Sequence, residues 1–160
     1  RDEPLNYDAR AEIMWAGSLS HNGLMGCGTD GGDWACHKME HELSGLFDVS
    51  HGAGLAAIWS SWARYVYRSD AERFARFAHR VMGVSGAGTH EEMAEKGIAA
   101  MENFFRAIRM PVSLTELGVH PVEDQMREMA EKCCLAVGGK AGVIRPLSAD
   151  DIAEIYRKAL

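Results

Sequence analysis

Residues 89–108 read THEEMAEKGIAAMENFFRAI and carry the clearest helical pattern in the chain. Thr89 and Glu92 have the spacing of a capping box, in which a hydroxyl and a carboxylate satisfy the free N–H groups at a helix start. Pro111 follows and is predicted to end the helix, because proline has no N–H to donate. The stretch therefore predicts an amphipathic helix. Its inner face is predicted to carry Met93, Gly97, Ile98, Met101, Phe104, Phe105 and Ile108.

The same spacing recurs along the chain, without a convincing two-residue alternation of strand type. A second capping box, Ser69 with Glu72, is predicted to begin a helix whose inner face extends to Val81. We expect an all-α fold, a bundle of about six to seven helices in a single domain over residues 1–160. The other helices are predicted over 7–22, 34–46, 52–67 and 121–137, with a last one capped by Ser148 that turns Ile152, Ile155 and Tyr156 inward.

Composition excludes several classes of function. A net charge of −6 argues against general binding to nucleic acids or anionic membranes. No apolar run is long enough to span a bilayer, and no signal-peptide pattern opens the chain. The four cysteines show no framework spacing, which favours free thiols in a reducing compartment, so we expect a cytoplasmic protein. Because the chain begins with Arg rather than Met and enters directly into a helical pattern, we expect it to be a piece of a longer protein.

Three histidines lie within fifteen residues of one another. His37 and His41 are four apart, so a helix would present both imidazoles on one face. His51 precedes a run of small residues, where a tight turn can bring it back toward that face. Imidazole is the commonest metal ligand in proteins and titrates near neutral pH. The cluster therefore predicts a metal site or a proton-transfer site, although two or three histidines alone form an incomplete one.

Two alternatives stay open on these residues. The order His37, Glu40, His41 matches the H-x-x-E-H motif of the inverted zinc proteases, in which two histidines bind zinc and the glutamate activates water. Under that interpretation the protein is a zinc hydrolase. The other alternative is a non-catalytic helical module that uses the histidines for packing or for binding a partner.

Eight short segments along the chain form a recognisable pattern: ARAEIMWA at 9–16, NGL at 22–24, GDW at 32–34, H-x3-HELS at 37–44, D-x2-HG-x-GLA at 48–56, GG at 138–139, PL at 146–147 and DI-x-EIY at 151–156. With these segments nearly the whole chain resembles the iron-containing (group III) alcohol dehydrogenases, and most closely their butanol dehydrogenase branch. The similarity is most specific around the histidines, where spacing and flanking residues agree together.

The resemblance implies the C-terminal helical part of a dehydroquinate synthase-like fold, with roles for all three histidines. In that family one Asp and three His hold a divalent metal, usually Fe²⁺ and sometimes Zn²⁺. His37 and His51 match the two metal ligands that are fourteen residues apart, and His41 matches the proton relay near the nicotinamide. The other two ligands come from an Asp-x3-His motif, whose spacing neither Asp30 nor His21 provides.

The glycine-rich turn that binds phosphate in the family's N-terminal nucleotide domain is also absent from this sequence. The resemblance therefore implies that this domain and the first metal ligands lie outside the chain, and that NAD(P)H binds mainly to the missing domain. The parent enzyme would interconvert small aldehydes and alcohols, with the metal polarising the carbonyl or alkoxide oxygen during hydride transfer. We expect the isolated chain to be inactive, to hold metal weakly and, with apolar surface uncovered, to form a homo-oligomer such as a dimer.

Overall fold

A computed structural model describes residues 2–29 and 31–160. Helices account for most of this part of the chain, and it contains no β-strand, only an isolated antiparallel bridge between Ala141 and Leu147. The predicted all-α class is confirmed. None of the described helices is long and apolar enough to cross a membrane. The helices are α1 Tyr7–His21, α2 Ala35–Phe47, α3 His51–Val66, α4 Ala71–Arg80, α5 His90–Ala107, the single-turn α6 Leu114–Leu117, α7 Glu123–Ala136 and α8 Ala149–Lys158.

The chain divides into two compact units, Arg1–Gly32 and Asp33–Leu160. That residues 1–160 form a single domain stays a prediction. In the first unit α1 buries none of its residues, and Ile13, Met14 and Trp15 are 64–71% exposed.

The core of the second unit forms where α2, α3, α7 and α8 pack together. Ile152, Ile155 and Tyr156 of α8 are fully buried, as predicted, and Ser148 caps that helix. The Tyr156 hydroxyl donates a hydrogen bond of 2.6 Å to the backbone carbonyl of Met39. Since Met39 lies between His37 and His41 in sequence, this bond fixes the histidine-bearing helix from its inner side.

Helices α4 and α5 form a closely packed pair, which we call the α4–α5 hairpin (residues 71–107). A Cβ atom on Gly97 would lie only 2.6 Å from the Cβ of Ala78, so glycine allows the two backbones to approach. The capping box predicted at Thr89 and Glu92 is confirmed. Of the apolar face predicted for α5, Met93, Gly97 and Ile98 are buried, whereas Phe104 and Ile108 at its end are 48% and 42% exposed.

The start predicted for α4 was wrong by one residue. Asp70, not Ser69, caps the helix: its carboxylate accepts from the Arg73 N–H at 3.1 Å and from the Arg73 side chain at 2.8 Å. Ser69 lies in a 3₁₀ turn, Tyr67–Asp70, that continues from α3. Val81, predicted to face inward, follows the last turn of α4 and is 69% exposed.

Candidate metal centre

The structure brings the three predicted histidines together. Candidate ligand atoms of His37, His41 and His51 all lie within 4.8 Å of one another. The ring centroid of His51 is 5.3 Å from that of His37 and 5.5 Å from that of His41. Because His37 and His41 lie one turn apart on α2, their imidazoles share a face of that helix. His51 comes from the next helix, α3.

A short turn between α2 and α3 places His51; we call residues 40–54 the α2–α3 corner. Asp48 ends α2 in the left-handed region at φ 52°, and its N–H donates to the Ser44 carbonyl at 2.9 Å. The Ser44 hydroxyl oxygen lies 3.2 Å from the Val49 carbonyl oxygen, so the turn runs close against α2. His51 is the first residue of α3 and lies beside the face of α2 that carries His37 and His41.

Glu40 is fully buried behind this cluster. One carboxylate oxygen contacts Nδ1 of His51, and the other accepts a hydrogen bond from the Ser44 hydroxyl. The H-x-x-E-H interpretation requires this carboxylate to face a metal and a water molecule, whereas Glu40 is fully buried and its two oxygens contact His51 and Ser44. The sequence motif gave Glu40 the role of a catalytic base, whereas Glu40 lies on the buried face of α2, four residues after Cys36 and three before Leu43.

The donor set fits a divalent transition metal. A carboxylate only accepts hydrogen bonds, so the Glu40 contact assigns a hydrogen to Nδ1 of His51. In the neutral imidazole with that hydrogen, Nε2 carries the lone pair that can bind a metal. The His51 side chain is 49% exposed. Imidazole nitrogens suit Fe²⁺ and Zn²⁺ alike. Among the described residues no carboxylate or thiol joins the group, and Asp30 lies outside the described residues.

Asp33 positions the start of α2. One of its carboxylate oxygens accepts from the Ala35 N–H at 2.8 Å, and the other from the backbone N–H groups of Val143 and Ile144 at 2.8 and 2.9 Å. Gly142, at φ 91°, lets this loop approach, since a Cβ there would lie 3.1 Å from the same carboxylate. The helix that carries His37 is therefore tied to a loop more than a hundred residues later, a contact that the sequence analysis missed.

An apolar cleft of about 450 Å³ opens beside His37. Its volume lies in the range of small-molecule sites, and its aromatic wall comes from α3 and α5. Cys36 also lines the cleft, but burial raises the pKa of its thiol, with Asp33 and Glu40 adding to the effect. The thiol is therefore protonated at neutral pH and is not a nucleophile. The lining residues are Asp33, Cys36, His37, Gly52, Leu55, Ala56, Trp59, Trp62, Phe105, Ile108 and Met110.

Comparison with known proteins identifies the family. Residues 1–160 match the model of the Fe-containing alcohol dehydrogenase family, C-terminal. The chain belongs to the Fe-containing alcohol dehydrogenase family. Membership of this family agrees with the resemblance seen in the sequence and gives the H-x-x-E-H hydrolase interpretation no support.

Curated members of the Fe-containing alcohol dehydrogenase family match along most of the chain. NADH-dependent butanol dehydrogenase A of Clostridium acetobutylicum is 36% identical over 155 residues, which cover 96% of this chain and 39% of that protein. NADPH-dependent aldehyde reductase YqhD of Escherichia coli is 33% identical over 117 residues, covering 73% of this chain and 30% of that protein. The chain thus spans about two fifths of the length of the first relative.

Solved structures of family members share the fold. NADH-dependent butanol dehydrogenase A from Thermotoga maritima is similar with a TM-score of 0.86 and 38% identity, over 96% of this chain and 39% of that one. Escherichia coli YqhD gives a TM-score of 0.89 at 28% identity, over 99% of this chain and 40% of that one. The helical architecture of this chain is therefore that of an Fe-containing alcohol dehydrogenase.

Proposed function

We propose that this chain is the metal-binding part of an NAD(P)H-linked alcohol dehydrogenase or aldehyde reductase. The observation that carries the proposal is the convergence of His37, His41 and His51, with candidate ligand atoms within 4.8 Å of one another, beside an apolar cleft. Relatives named as NADH-dependent butanol dehydrogenase and NADPH-dependent aldehyde reductase support both the chemistry and the nicotinamide cofactor. The metal that we propose is Fe²⁺, with Zn²⁺ as the alternative.

In this proposal His37 and His51 are metal ligands. His37 is half-buried at the edge of the cleft, with its ring centroid 4.9 Å from that of Trp34, so its position is restricted. His51 is held through Nδ1, which leaves Nε2 for the metal. When bound, the metal supplies Lewis-acid stabilisation of the charge that develops on the substrate oxygen, and the nicotinamide supplies the hydride.

His41 is the proposed proton relay. Its side chain is exposed, and it lies in the same cluster as the two proposed ligands. An imidazole in that position can give a proton to the alkoxide oxygen as the aldehyde is reduced and recover one from solvent. The cleft binds the carbon chain of a small aldehyde or alcohol by burying it against apolar side chains, and so keeps water from the reacting carbon.

The test is a titration of the 160-residue chain with Co²⁺ as the probe, followed by absorption spectroscopy. We expect weak binding that His37→Ala and His51→Ala each reduce at least tenfold, whereas His90→Ala, at an exposed helix start, serves as the matched control. Unchanged binding in a folded His51→Ala variant, with loss in His41→Ala, would instead assign the ligands to His37 and His41 and contradict the proposal.

The proposal also covers the localisation, partners and oligomeric state of the protein. We propose a cytoplasmic enzyme that acts on small alcohols or aldehydes, binds neither nucleic acid nor membrane, and forms a homo-oligomer, in the simplest case a dimer. Exposed apolar side chains such as Ile13, Met14 and Trp15 support self-association. Sedimentation of the chain over a range of concentrations tests this, and a monomer at every concentration contradicts it. We propose that the 160-residue chain by itself does not reduce butanal with NADPH.

A further inference from the structure

We propose that Glu40 is the positioning residue of the metal centre, holding the His51 imidazole so that its Nε2 is presented to the metal. The inference rests on the proposed function, in which His51 is a metal ligand. Its basis is one set of contacts in the α2–α3 corner: a buried carboxylate, the imidazole and hydroxyl that it binds, and a glycine that leaves room for it.

The burial of Glu40 is the first argument. Its side chain is fully buried, and its described partners are His51 and Ser44, neither of them a lysine or an arginine. Removing a carboxylate from water is costly unless it is well paired. A side chain chosen only to pack α2 against α3 would be apolar, like its neighbours Cys36, Met39 and Leu43 on the buried face of α2.

Gly54 is the second argument. A Cβ atom there would lie 2.6 Å from Oε1 of Glu40 and 2.9 Å from its Cγ. Gly54 is buried within α3 and its φ is not positive, so its backbone does not require glycine. Glycine is disfavoured inside a helix. The Glu40 carboxylate occupies the space that a side chain at position 54 would need. The same carboxylate contacts His51, which lies one turn before Gly54 on α3.

The hydrogen-bond direction is the third argument. The nitrogen of a histidine that binds a metal is determined by the hydrogen bond made by the other nitrogen. Glu40 accepts from Nδ1 of His51, while Ser44 donates to the second carboxylate oxygen and so fixes its orientation. Loss of such an outer partner lowers metal affinity about 10- to 100-fold in other metalloproteins.

The experiment compares Glu40→Met with Glu40→Gln in the 160-residue chain. Methionine keeps the length of the side chain and removes both oxygens, whereas glutamine keeps an oxygen that can accept from Nδ1. Glu42→Met, two residues away and outside the cluster, is the matched control. The first measurement is the ¹⁵N NMR spectrum of metal-free protein, with the His51 signals assigned by their loss in His51→Gln. The second is the Co²⁺ titration.

We expect wild type, Glu40→Gln and Glu42→Met to hold the Nδ1–H tautomer of His51. Glu40→Met should give a mixture of tautomers and bind Co²⁺ about 10- to 100-fold more weakly. A purely structural role would change the melting temperature but neither measurement. The proposal is overturned if a folded Glu40→Met variant keeps the wild-type tautomer of His51. It is also overturned if Glu40→Met binds Co²⁺ as tightly as wild type while His51→Ala has lost Co²⁺ binding.

A second pair of variants covers the case in which Glu40→Met does not fold. Gly54→Ala displaces the carboxylate and should change the His51 tautomer in the same direction, whereas Gly45→Ala, with open space at its Cβ, should not. A wild-type tautomer in Gly54→Ala overturns the proposal. The tautomer measurement uses no metal, so absence of Co²⁺ binding by the wild-type chain would count against the proposed function alone.

Discussion

The α4–α5 hairpin and the α2–α3 corner each contain a glycine at the point where a neighbouring residue approaches closest. A Cβ on Gly97 would lie 2.6 Å from the Ala78 methyl group, and one on Gly54 would lie 2.6 Å from the Glu40 carboxylate. The two approaches are equally tight, but their chemistry differs. In the hairpin, glycine brings two backbones together, whereas in the corner it makes room for a buried carboxyl group beside a proposed metal ligand.

The helix starts of the two regions also differ in which residues stabilise them. Asp70 and Thr89 cap α4 and α5 through their own side chains. Ser50, at the start of α3, makes no side-chain capping bond. The corner is fastened instead by Ser44 and Glu40, which belong to the preceding helix. The hairpin is thus specified largely by local signals, and the corner by contacts between helices.

The largest expected difference concerns the two glycines. Gly97→Ala should lower the free energy of unfolding by about 1–3 kcal/mol, because the added methyl group meets the Ala78 backbone, its Cα at 2.9 Å, which cannot move alone. Gly54→Ala should cost less than about 1 kcal/mol, since the end of the Glu40 side chain can shift and alanine favours the helix. Urea unfolding measures both. Equal losses would show that Glu40 is held as rigidly as backbone.

The helix caps give the next largest difference. Thr89→Ala should cost about 1 kcal/mol, because the helix start loses the hydroxyl that accepts from the Glu92 N–H. Ser50→Ala should cost only a few tenths of a kcal/mol, on the order of a surface substitution. Thermal unfolding monitored by circular dichroism compares the two. A larger effect at Ser50 would contradict the view that the corner depends on contacts between helices.

The smallest effect is a pH dependence in the hairpin. The Arg73 side chain lowers the pKa of Asp70 below its ordinary value of 3.8. A group with a lowered folded-state pKa stabilises the fold above pH 3.8, and this stabilisation is lost as the pH falls through the folded-state value. Asn is as good a cap as Asp, so Asp70→Asn should cost only the exposed ion pair, about 0.2–0.5 kcal/mol at pH 7.

The check is urea unfolding of wild type and Asp70→Asn at pH 7 and at stepwise lower pH. The difference between them should shrink toward zero in acid. A difference that grows as the pH falls has the wrong sign for a lowered pKa and would refute the assignment. The corner offers a matched comparison, because Ser50→Ala removes no charge there and should show no such dependence.

The sequence predicted best where the signal is local. The sequence identifies Thr89 as a cap because a hydroxyl and an acidic residue three positions later can satisfy a helix start by themselves. The cap predicted at Ser148 is also confirmed. The cap predicted at Ser69 was wrong because Asp70, the next residue, offers a carboxylate that also pairs with Arg73. The convergence of His37 and His41 follows from helical spacing alone, and their metal-binding and relay roles stay predictions.

By itself the sequence determined the helices, the shared face of two histidines and membership of a dehydrogenase family. Only the tertiary structure decided that Glu40 is buried against His51 and that an apolar cleft opens beside His37. The physical reason is the distance along the sequence over which each interaction acts. Caps and periodicity act over three or four residues, whereas Tyr156 fixes α2 across 117 positions and Asp33 binds Val143 across 110. Contacts between residues so distant form only when the whole unit packs.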